Sequence, residues 1–330
     1  MAKKITLEQI AQRLGTSKIT VSRALKGQAG VSDGLRQQIF QTATDMGYEQ
    51  QHLRTAKRKR RIVFLTPKRF YLVTDSFYHV IYYHLNILCS ERNIEFSPFI
   101  LEKENELQGI LPDSINDCDD IIIGGEVAQA VIDSVAATAK PYVVVDYDPM
   151  DSRSDCVIID NYRIGKILTE YLVRRGYKTV GFVGALSQSS NIADRILGYR
   201  KILYSRNLPV RSEWQIDNYD RETDNYLIDI PLPAHMPEAF ICHCDRAAYY
   251  FMEKLKSSGI SVPDQIALIS IDNTELASST SPALTSMDID KHSFAEETLR
   301  LLDEREHGRT TPKRVYLETR LIERDSVPER

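Results

Sequence analysis

The sequence has no apolar run near the roughly 18–20 residues that a membrane-spanning helix needs. Its first ten residues are polar and lack an apolar stretch followed by small residues, so we expect no secretory signal. Cysteine is scarce, with five scattered residues, an odd number that argues against a disulfide framework. We therefore expect a cytoplasmic protein.

Signature motifs of common enzyme classes are also missing. The chain has no phosphate-binding P-loop, no Gly-x-Ser-x-Gly elbow and no zinc-protease motif. The triplet Cys242-His243-Cys244 invites a metal interpretation, but no second spaced ligand pair follows it. We expect no metal, no cofactor and no enzyme. An enzyme acting on a small polar metabolite is the least favoured alternative.

The chain does have an uneven distribution of charge. Its composition, 42% hydrophobic and 27% charged residues over 330 positions, is typical of a globular protein with two or three domains. The net charge is −4, yet residues 1–61 alone carry +9 and the remainder −13. A basic head on an acidic body indicates that the head binds a polyanion.

The pattern of the first 47 residues predicts three short helices. Thr6 and Gln9 form a capping box before the first, Gly15 ends it, and a second helix follows Ser17. The third runs from Ser32 to Gly47. Two helices joined by a tight turn form a helix-turn-helix, whose second helix enters the DNA major groove.

Four exposed side chains at the start of the second helix fit base reading. Arg23 can bind guanine through two hydrogen bonds, and Lys18 can bind guanine or phosphate. Ile19 can contact a thymine methyl group, and Ser22 lies beside Arg23.

The run from Thr6 to Leu25, with Thr20-Val21-Ser22-Arg23 after a serine-capped turn, resembles the head of LacI/GalR-family repressors. Val31-Ser32 and Gly47-Tyr48 extend the resemblance. It implies that Lys18, Ile19 and Arg23 read bases and that neighbouring polar residues approach phosphates. The remaining candidate DNA contacts of the head are Thr6, Ser17, Thr20, Ser22, Lys26, Ser32 and Tyr48.

The segment 48–61 departs from the family's hinge. The position of the usual minor-groove leucine is Lys57, which leaves Leu53 as the apolar wedge candidate. The basic run that follows supplies candidate phosphate contacts, Arg58 and Arg60.

Residues 62–330 alternate apolar strands with amphipathic helices, which predicts doubly wound parallel sheets. The resemblance implies two Rossmann-like lobes of the periplasmic-binding-protein type. We expect lobe 1 at about 62–160 plus 289–318, and lobe 2 at about 161–288 plus the C-terminal residues. The chain would cross between lobes three times.

Ligands of such sheets bind beyond the carboxyl ends of the strands. Asp146, Asp160, Asp245 and Asp272 follow predicted strands, although each alone could be a helix cap. The resemblance assigns ligand hydroxyls to Arg195 and Asp272. It also places Phe77, Tyr78 and Tyr219 against a ligand ring, with core packing as the alternative.

These observations predict a DNA-binding transcriptional repressor controlled by a small ligand, and a homodimer that reads a pseudo-palindromic operator. The entry to the helix at Asp75-Ser76-Phe77-Tyr78 resembles the subgroup with the evolved β-galactosidase repressor and the galactose repressors. A saccharide, specifically a galactoside, is therefore the expected ligand. A non-sugar ligand or a protein partner is the alternative controller.

Overall fold

A computed structural model describes residues 5–25, 30–46, 48, 59–71, 77–149, 153–223, 225–227 and 229–330. The chain divides into two compact units, a head and a body, with the boundary after Arg60. Within the described ranges, no helix is both long enough and apolar enough to cross a membrane.

The head consists of α1 (Leu7–Arg13), α2 (Lys18–Leu25) and α3 (Asp33–Asp45). Thr6 and Gln9 form the predicted capping box, since the Thr6 hydroxyl accepts from Gln9 N and Gln9 Oε1 accepts from Thr6 N. Gly15 has a φ of +64° in the turn before α2, a conformation that glycine adopts without steric cost. The helices share one small core: Ile10, Ala11, Val21, Ala24, Ile39, Ala43 and Tyr48. The predicted helical head is confirmed.

The body alternates strands and helices along the chain. Its strands are β1 (Arg61–Pro67), β2 (Glu95–Leu101), β3 (Asp120–Gly124), β4 (Tyr142–Val145), β5 (Asp155–Ile159), β6 (Val180–Val183), β7 (Gln215–Ile216), β8 (Tyr219–Asp220), β9 (Asn225–Tyr226), β10 (Ala239–Cys242), β11 (Ala267–Asp272), β12 (Thr285–Ile289), β13 (Arg314–Leu317) and β14 (Thr319–Ile322). Its helices are α4 (Lys68–Tyr71), α5 (Phe77–Glu91), α6 (Lys103–Gln108), α7 (Ser114–Asp117), α8 (Gln129–Ala137), α9 (Asn161–Arg174), α10 (Ser190–Ser205), α11 (Asp245–Ser257), α12 (Glu275–Ser279) and α13 (Lys291–Glu306).

The strands form two six-stranded sheets and one two-stranded hairpin, β8–β9. Lobe 1 contains the parallel sheet β13-β5-β4-β3-β1-β2, and lobe 2 contains β14-β12-β11-β10-β6-β7. The inner strands are fully buried because helices cover both faces. The predicted two-lobe, doubly wound fold is confirmed, with one difference. Strand β14 runs antiparallel to β12, since the chain enters lobe 2 at the carboxyl end of β12, where Thr319 pairs with Ile289.

The chain passes between the two sheets three times: after β5, after β12 and between β13 and β14. Strands β5, β12 and β13 therefore each end where the chain crosses to the other lobe. The carboxyl ends of the parallel strands in the two sheets therefore face each other across one cleft. The loops after β3, β4, β6, β10 and β11 meet at this cleft, the usual ligand position in such sheets.

Candidate functional site

Helix α2 presents the predicted base-reading residues to solvent. Ser17 caps the start of the helix, because its hydroxyl accepts from Thr20 N at 3.0 Å and lies 2.8 Å from the Thr20 hydroxyl. Lys18 and Arg23 are exposed, and Ile19 between them keeps 65% of its surface accessible. An apolar side chain flanked by cations matches the chemistry of thymine methyl groups and guanine edges.

Lys18 has a partner within the head. Its ammonium lies 2.6 Å from the carboxylate of Glu8 in α1. This hydrogen bond and charge lower the pKa of Glu8. Both side chains are exposed, and exposed ion pairs are weak in water. A DNA phosphate can therefore replace Glu8 at little cost.

The other predicted DNA contacts occupy different environments. Thr6 and Ser32 precede α1 and α3, and Ser22 and Arg60 are half-buried. The Tyr48 ring is buried in the core of the head, and this burial raises its pKa. Its position indicates a packing role. Lys26, Leu53 and Arg58 lie outside the described residues.

A cavity of about 680 Å³ lies between lobes 1 and 2. Most of the predicted ligand residues line it. They are Phe77, Tyr78, Asp146, Arg195, Tyr219, Asp245 and Asp272. Asp160 lies elsewhere: its side chain is exposed and caps α9 by accepting from Arg163 N at 2.8 Å. The helix-cap alternative thus describes Asp160, whose hydrogen bond to its own helix leaves it outside the cavity.

The lobe 1 wall combines a carboxyl group with aromatic rings. The Tyr78 hydroxyl donates to Asp146 Oδ2 at 2.8 Å, and the Tyr78 ring packs on Phe70 with centroids 4.5 Å apart. Phe77 is buried and contacts Phe294 edge-to-face, so it serves the core of lobe 1 as well as the wall. Tyr78 thus lines the cavity and also fixes the carboxyl group of Asp146 beside it.

Burial strongly raises the pKa of Asp146. Loss of water raises its pKa to about 7, against the opposing effect of the Arg195 guanidinium. The amide of Asn191, from lobe 2, donates to the Asp146 carbonyl at 2.7 Å and to its carboxyl at 3.2 Å. Asp146 therefore joins the two lobes at the cavity.

Arg195 is positioned by a close helix packing. A side chain at Gly165 of α9 would lie 2.0 Å from the Arg195 carbonyl, and one at Gly198 would lie 2.1 Å from the backbone of α9, so both positions require glycine. With the helices this close, Arg195 Nε donates to Asn161 Oδ1 at 2.7 Å. Nη1 donates to the carbonyl of His243. Among the residues that the structure describes, these bonds leave Arg195 Nη2 for a ligand in the cavity.

Asp272 has the features of a ligand-binding carboxylate. Among the described residues no side-chain hydrogen bond fills its carboxyl group, and its φ of +103° is unusual for a residue other than glycine. Burial raises its pKa to about 6; Asp245 adds to this effect, whereas Arg195 and Lys291 oppose it. An open acceptor on a strained backbone suits a ligand hydroxyl or amine.

Asp245 lines the same cavity but is already satisfied. Its Oδ1 accepts from the Ser270 and Ser286 hydroxyls, each at 2.6 Å, and its Oδ2 from Thr274 N and Oγ1 at 2.6 and 2.9 Å. Burial is the largest influence on its pKa, which is raised. The carboxyl group fastens α11 to β11 and β12, and this leaves it little capacity for a ligand.

The lobe 2 wall carries a second aromatic group. The Tyr226 ring stacks on His243 with centroids 5.7 Å apart and an 18° interplanar angle, and Tyr219 meets Tyr226 edge-on. Burial lowers the pKa of His243 to about 3, so the imidazole is neutral. Burial also raises the pKa of Cys244 to about 12, so the thiol beside Tyr226 is not an activated nucleophile.

Sequence reasoning missed several cavity residues, including Arg69, Phe70, Asn191 and Tyr226. Tyr226 belongs to a hairpin with two-residue strands, too short for a periodicity signal. Phe70 could have been found, since it is an aromatic residue close after β1. Across the described part of the chain, no group of three or more His, Cys, Asp or Glu could hold a metal ion.

Two family models match the chain. Residues 6–51 match the model described as bacterial regulatory proteins, lacI family, and residues 169–327 match the periplasmic binding protein-like domain. Among curated proteins, the HTH-type transcriptional repressor PurR of Vibrio parahaemolyticus is 26% identical over 340 residues, 98% of each chain. PurR of Vibrio campbellii is 30% identical over 190 residues, 57% of each chain.

Solved structures share the fold over nearly the whole chain. A complex of the transcriptional regulator CelR with cellobiose has a TM-score of 0.69 at 22% identity and covers 98% of this chain and 99% of its own. The lac repressor dimer bound to operator and the anti-inducer ONPF has a TM-score of 0.68 at 19% identity, with the same coverage. These matches support a resemblance to the LacI family. They do not identify a subgroup, so the galactose-repressor subgroup stays a prediction.

Proposed function

We propose that the chain is a transcriptional repressor of the LacI family of bacterial regulatory proteins, controlled by a small ligand bound between lobes 1 and 2. The head binds DNA. The ligand, bound in the cavity, changes the affinity of the protein for its operator by binding two conformations unequally.

The exposed face of α2 supports sequence-specific DNA binding, since it offers Lys18, Ile19 and Arg23 without disturbing the core of the head. One head covers too little DNA for tight specific binding. A homodimer that places two heads on a pseudo-palindromic operator meets this need. The fold neighbour described as a lac repressor dimer on its operator agrees with that arrangement.

The open carboxyl group of Asp272 carries the proposal for the ligand. It shares the cavity with Asp146 and Arg195, so acceptors and a donor surround the same space. Carboxylates accept hydrogen bonds from hydroxyls, and the faces of sugar rings pack on aromatic side chains. A saccharide could bind the carboxyl groups through its hydroxyls and pack its ring face on the aromatic side chains of both lobes. Among saccharides, a galactoside is our first choice. The cellobiose complex of the fold neighbour CelR is consistent with a saccharide.

The ring pairs support a second candidate. Phe70 with Tyr78 in lobe 1 and Tyr226 with His243 in lobe 2 present flat aromatic surfaces to the cavity. A flat heteroaromatic base such as a purine would stack on such surfaces. Its ring N–H groups would then donate to Asp272 in place of sugar hydroxyls.

Selection from a pool of randomised duplex DNA tests the DNA-binding half. The full-length protein should enrich one pseudo-palindromic sequence, and its binding should weaken with salt as counterions are released. Binding that enriches no sequence would contradict a sequence-specific repressor.

Thermal melting of the full-length protein against saccharides, sugar phosphates, nucleosides and purine bases tests the ligand half. A ligand at 100 times its Kd should add about 2.7 kcal/mol, a shift of a few degrees for a protein of this size.

Two variants make this test specific. Asp272→Asn should abolish the melting shift, because the open acceptor loses its charge and half of its acceptor capacity. Asp160→Asn should retain the shift, since Asp160 lies outside the cavity and asparagine also caps helices. An intact response in Asp272→Asn would remove Asp272 from the site. If no compound of the panel raised the melting temperature, a protein partner would be favoured as the regulator of DNA binding.

A further inference from the structure

Lobe 1 holds the first turn of α10 through two acidic residues, and one of them lies outside the ligand cavity. Asp146, in the cavity, receives the amide of Asn191. Glu126, in the loop after β3, binds Ser190, the residue that precedes Asn191. Its Oε2 accepts from Ser190 N at 2.8 Å and from the Ser190 hydroxyl at 2.9 Å. Consecutive residues of lobe 2 thus bind consecutive strand-end loops of lobe 1.

Glu126 is itself fixed by a partly buried ion pair between Arg69 and Glu106. Arg69 donates to the Glu126 carbonyl at 2.7 Å and binds both carboxylate oxygens of Glu106 at 2.6 and 2.9 Å. Glu106, whose side chain is only 6% exposed, also accepts from Ala128 N at 3.1 Å. The loop is therefore held at the Glu126 carbonyl and at Ala128, and little conformational freedom is lost when the Glu126 carboxylate binds Ser190.

The same ion pair contacts the cavity wall. The Arg69 guanidinium lies 4.8 Å from the centroid of the Phe70 ring, which packs on Tyr78. The support of Glu126 and the aromatic wall of lobe 1 are thus one packed unit.

On the lobe 2 side, the position of Ser190 determines the position of Arg195. Both residues belong to α10, and the close contacts at Gly165 and Gly198 seat this helix rigidly on α9. A shift of the first turn away from lobe 1 would therefore carry Arg195 away from Asp146.

We propose that Glu126 is a positioning residue that docks the start of α10 on lobe 1 in the ligand-free protein and so holds Arg195 opposite Asp146. The cavity is then formed before a ligand enters. A protein that spends less time in this conformation binds its ligand more weakly, in proportion to the population lost. That consequence rests on the proposed function, whereas the docking itself does not.

Hydrogen exchange followed by mass spectrometry tests the docking on the full-length protein, with neither ligand nor DNA present. Glu126→Ala should raise exchange in the first turn of α10 by at least about tenfold, which corresponds to 1.4 kcal/mol. Glu126→Gln should give a smaller increase, because its amide oxygen still accepts but lacks the charge. The matched control is Glu102→Ala, which removes an exposed carboxylate that binds Lys68 within lobe 1. This control should leave α10 unchanged.

A double-mutant cycle with Ser190→Ala separates docking from a general structural role. If Glu126 acts through Ser190, the serine substitution should have no further effect in the Glu126→Ala background. Unchanged exchange in α10 of Glu126→Ala, full additivity in the cycle, or an equal rise in β1 and β3 would each overturn the proposal. Failure of the proposed function would show instead as wild-type protein that enriches no DNA sequence.

Discussion

Asp146 should make the stability of the ligand-free protein depend on pH in an unusual direction. Its pKa is raised from 3.8 to about 7 by burial. Between these values the folded protein keeps a proton that the unfolded chain releases. Asp146 therefore stabilises the fold least at high pH, and its unfavourable contribution grows as pH rises from about 4 to about 7.

The substitution Asp146→Asn isolates this effect. The asparagine side chain cannot ionise, can still accept from Tyr78 and Asn191, and tolerates the left-handed backbone, where Asp146 has a φ of +60°. With a folded pKa near 7, the free energy of unfolding of Asp146→Asn relative to wild type should rise by about 2–3 kcal/mol between pH 5 and pH 8.

Urea unfolding at pH 5, 6, 7 and 8 measures this difference. Far-UV circular dichroism reports the whole chain, and the fluorescence of the single tryptophan, Trp214, reports lobe 2. The control is Asp155→Asn, because hydrogen bonds from Arg309 and Arg305 overcome the effect of burial and lower the pKa of Asp155. Because the pKa of Asp155 lies below 3.8, its carboxyl group is ionised in both the folded and the unfolded protein from pH 5 to pH 8. Asp155→Asn should therefore be less stable than wild type by an amount that stays constant over this range. A constant Asp146→Asn difference across the four pH values would refute the reasoning.

Three further predictions concern the head and the lobe 2 network. Arg23→Ala should abolish sequence preference in DNA selection but keep weak, salt-sensitive binding; an unaltered enriched sequence would contradict its base-reading role. Lys18→Gln should reduce the slope of log affinity against log salt by about 1 if Lys18 leaves Glu8 for a phosphate, and an unchanged slope would exclude that contact. Asp245→Ala should lower the free energy of unfolding in urea by about 3–5 kcal/mol, because it leaves buried donors from Ser270 and Thr274 unpaired; a loss below about 1 kcal/mol would show that the network can rearrange.

The architecture was predictable because its signals are local. Short apolar runs such as those that became β3 and β4 are buried on both faces, and the capping box at Thr6 marks the start of α1. Strands β13 and β14 carry no such signal, since they are edge strands with exposed positions and only Glu318 separates them.

The ligand site was predictable only in part. Asp245 and Asp272 both follow or end buried strands, and the sequence alone does not distinguish them. Their difference depends on the pairing of β11 with β12, which brings Ser270 beside Ser286 so that both hydroxyls bind Asp245. Because β12 is not among the apolar runs that predict strands, the sequence does not reveal the partners of Asp245 and predicts it as a ligand residue.

The three carboxyl groups that line the cavity, those of Asp146, Asp245 and Asp272, therefore have different roles. Asp245 has its hydrogen bonds before any ligand arrives, so a ligand gains little from it. Asp146 and Asp272 are held at raised pKa values of about 7 and about 6 because burial disfavours their charged forms. A ligand that donates hydrogen bonds would favour those charged forms and relieve part of the cost of burial. The carboxyl groups whose burial costs the most are thus the ones through which binding can stabilise one conformation over another.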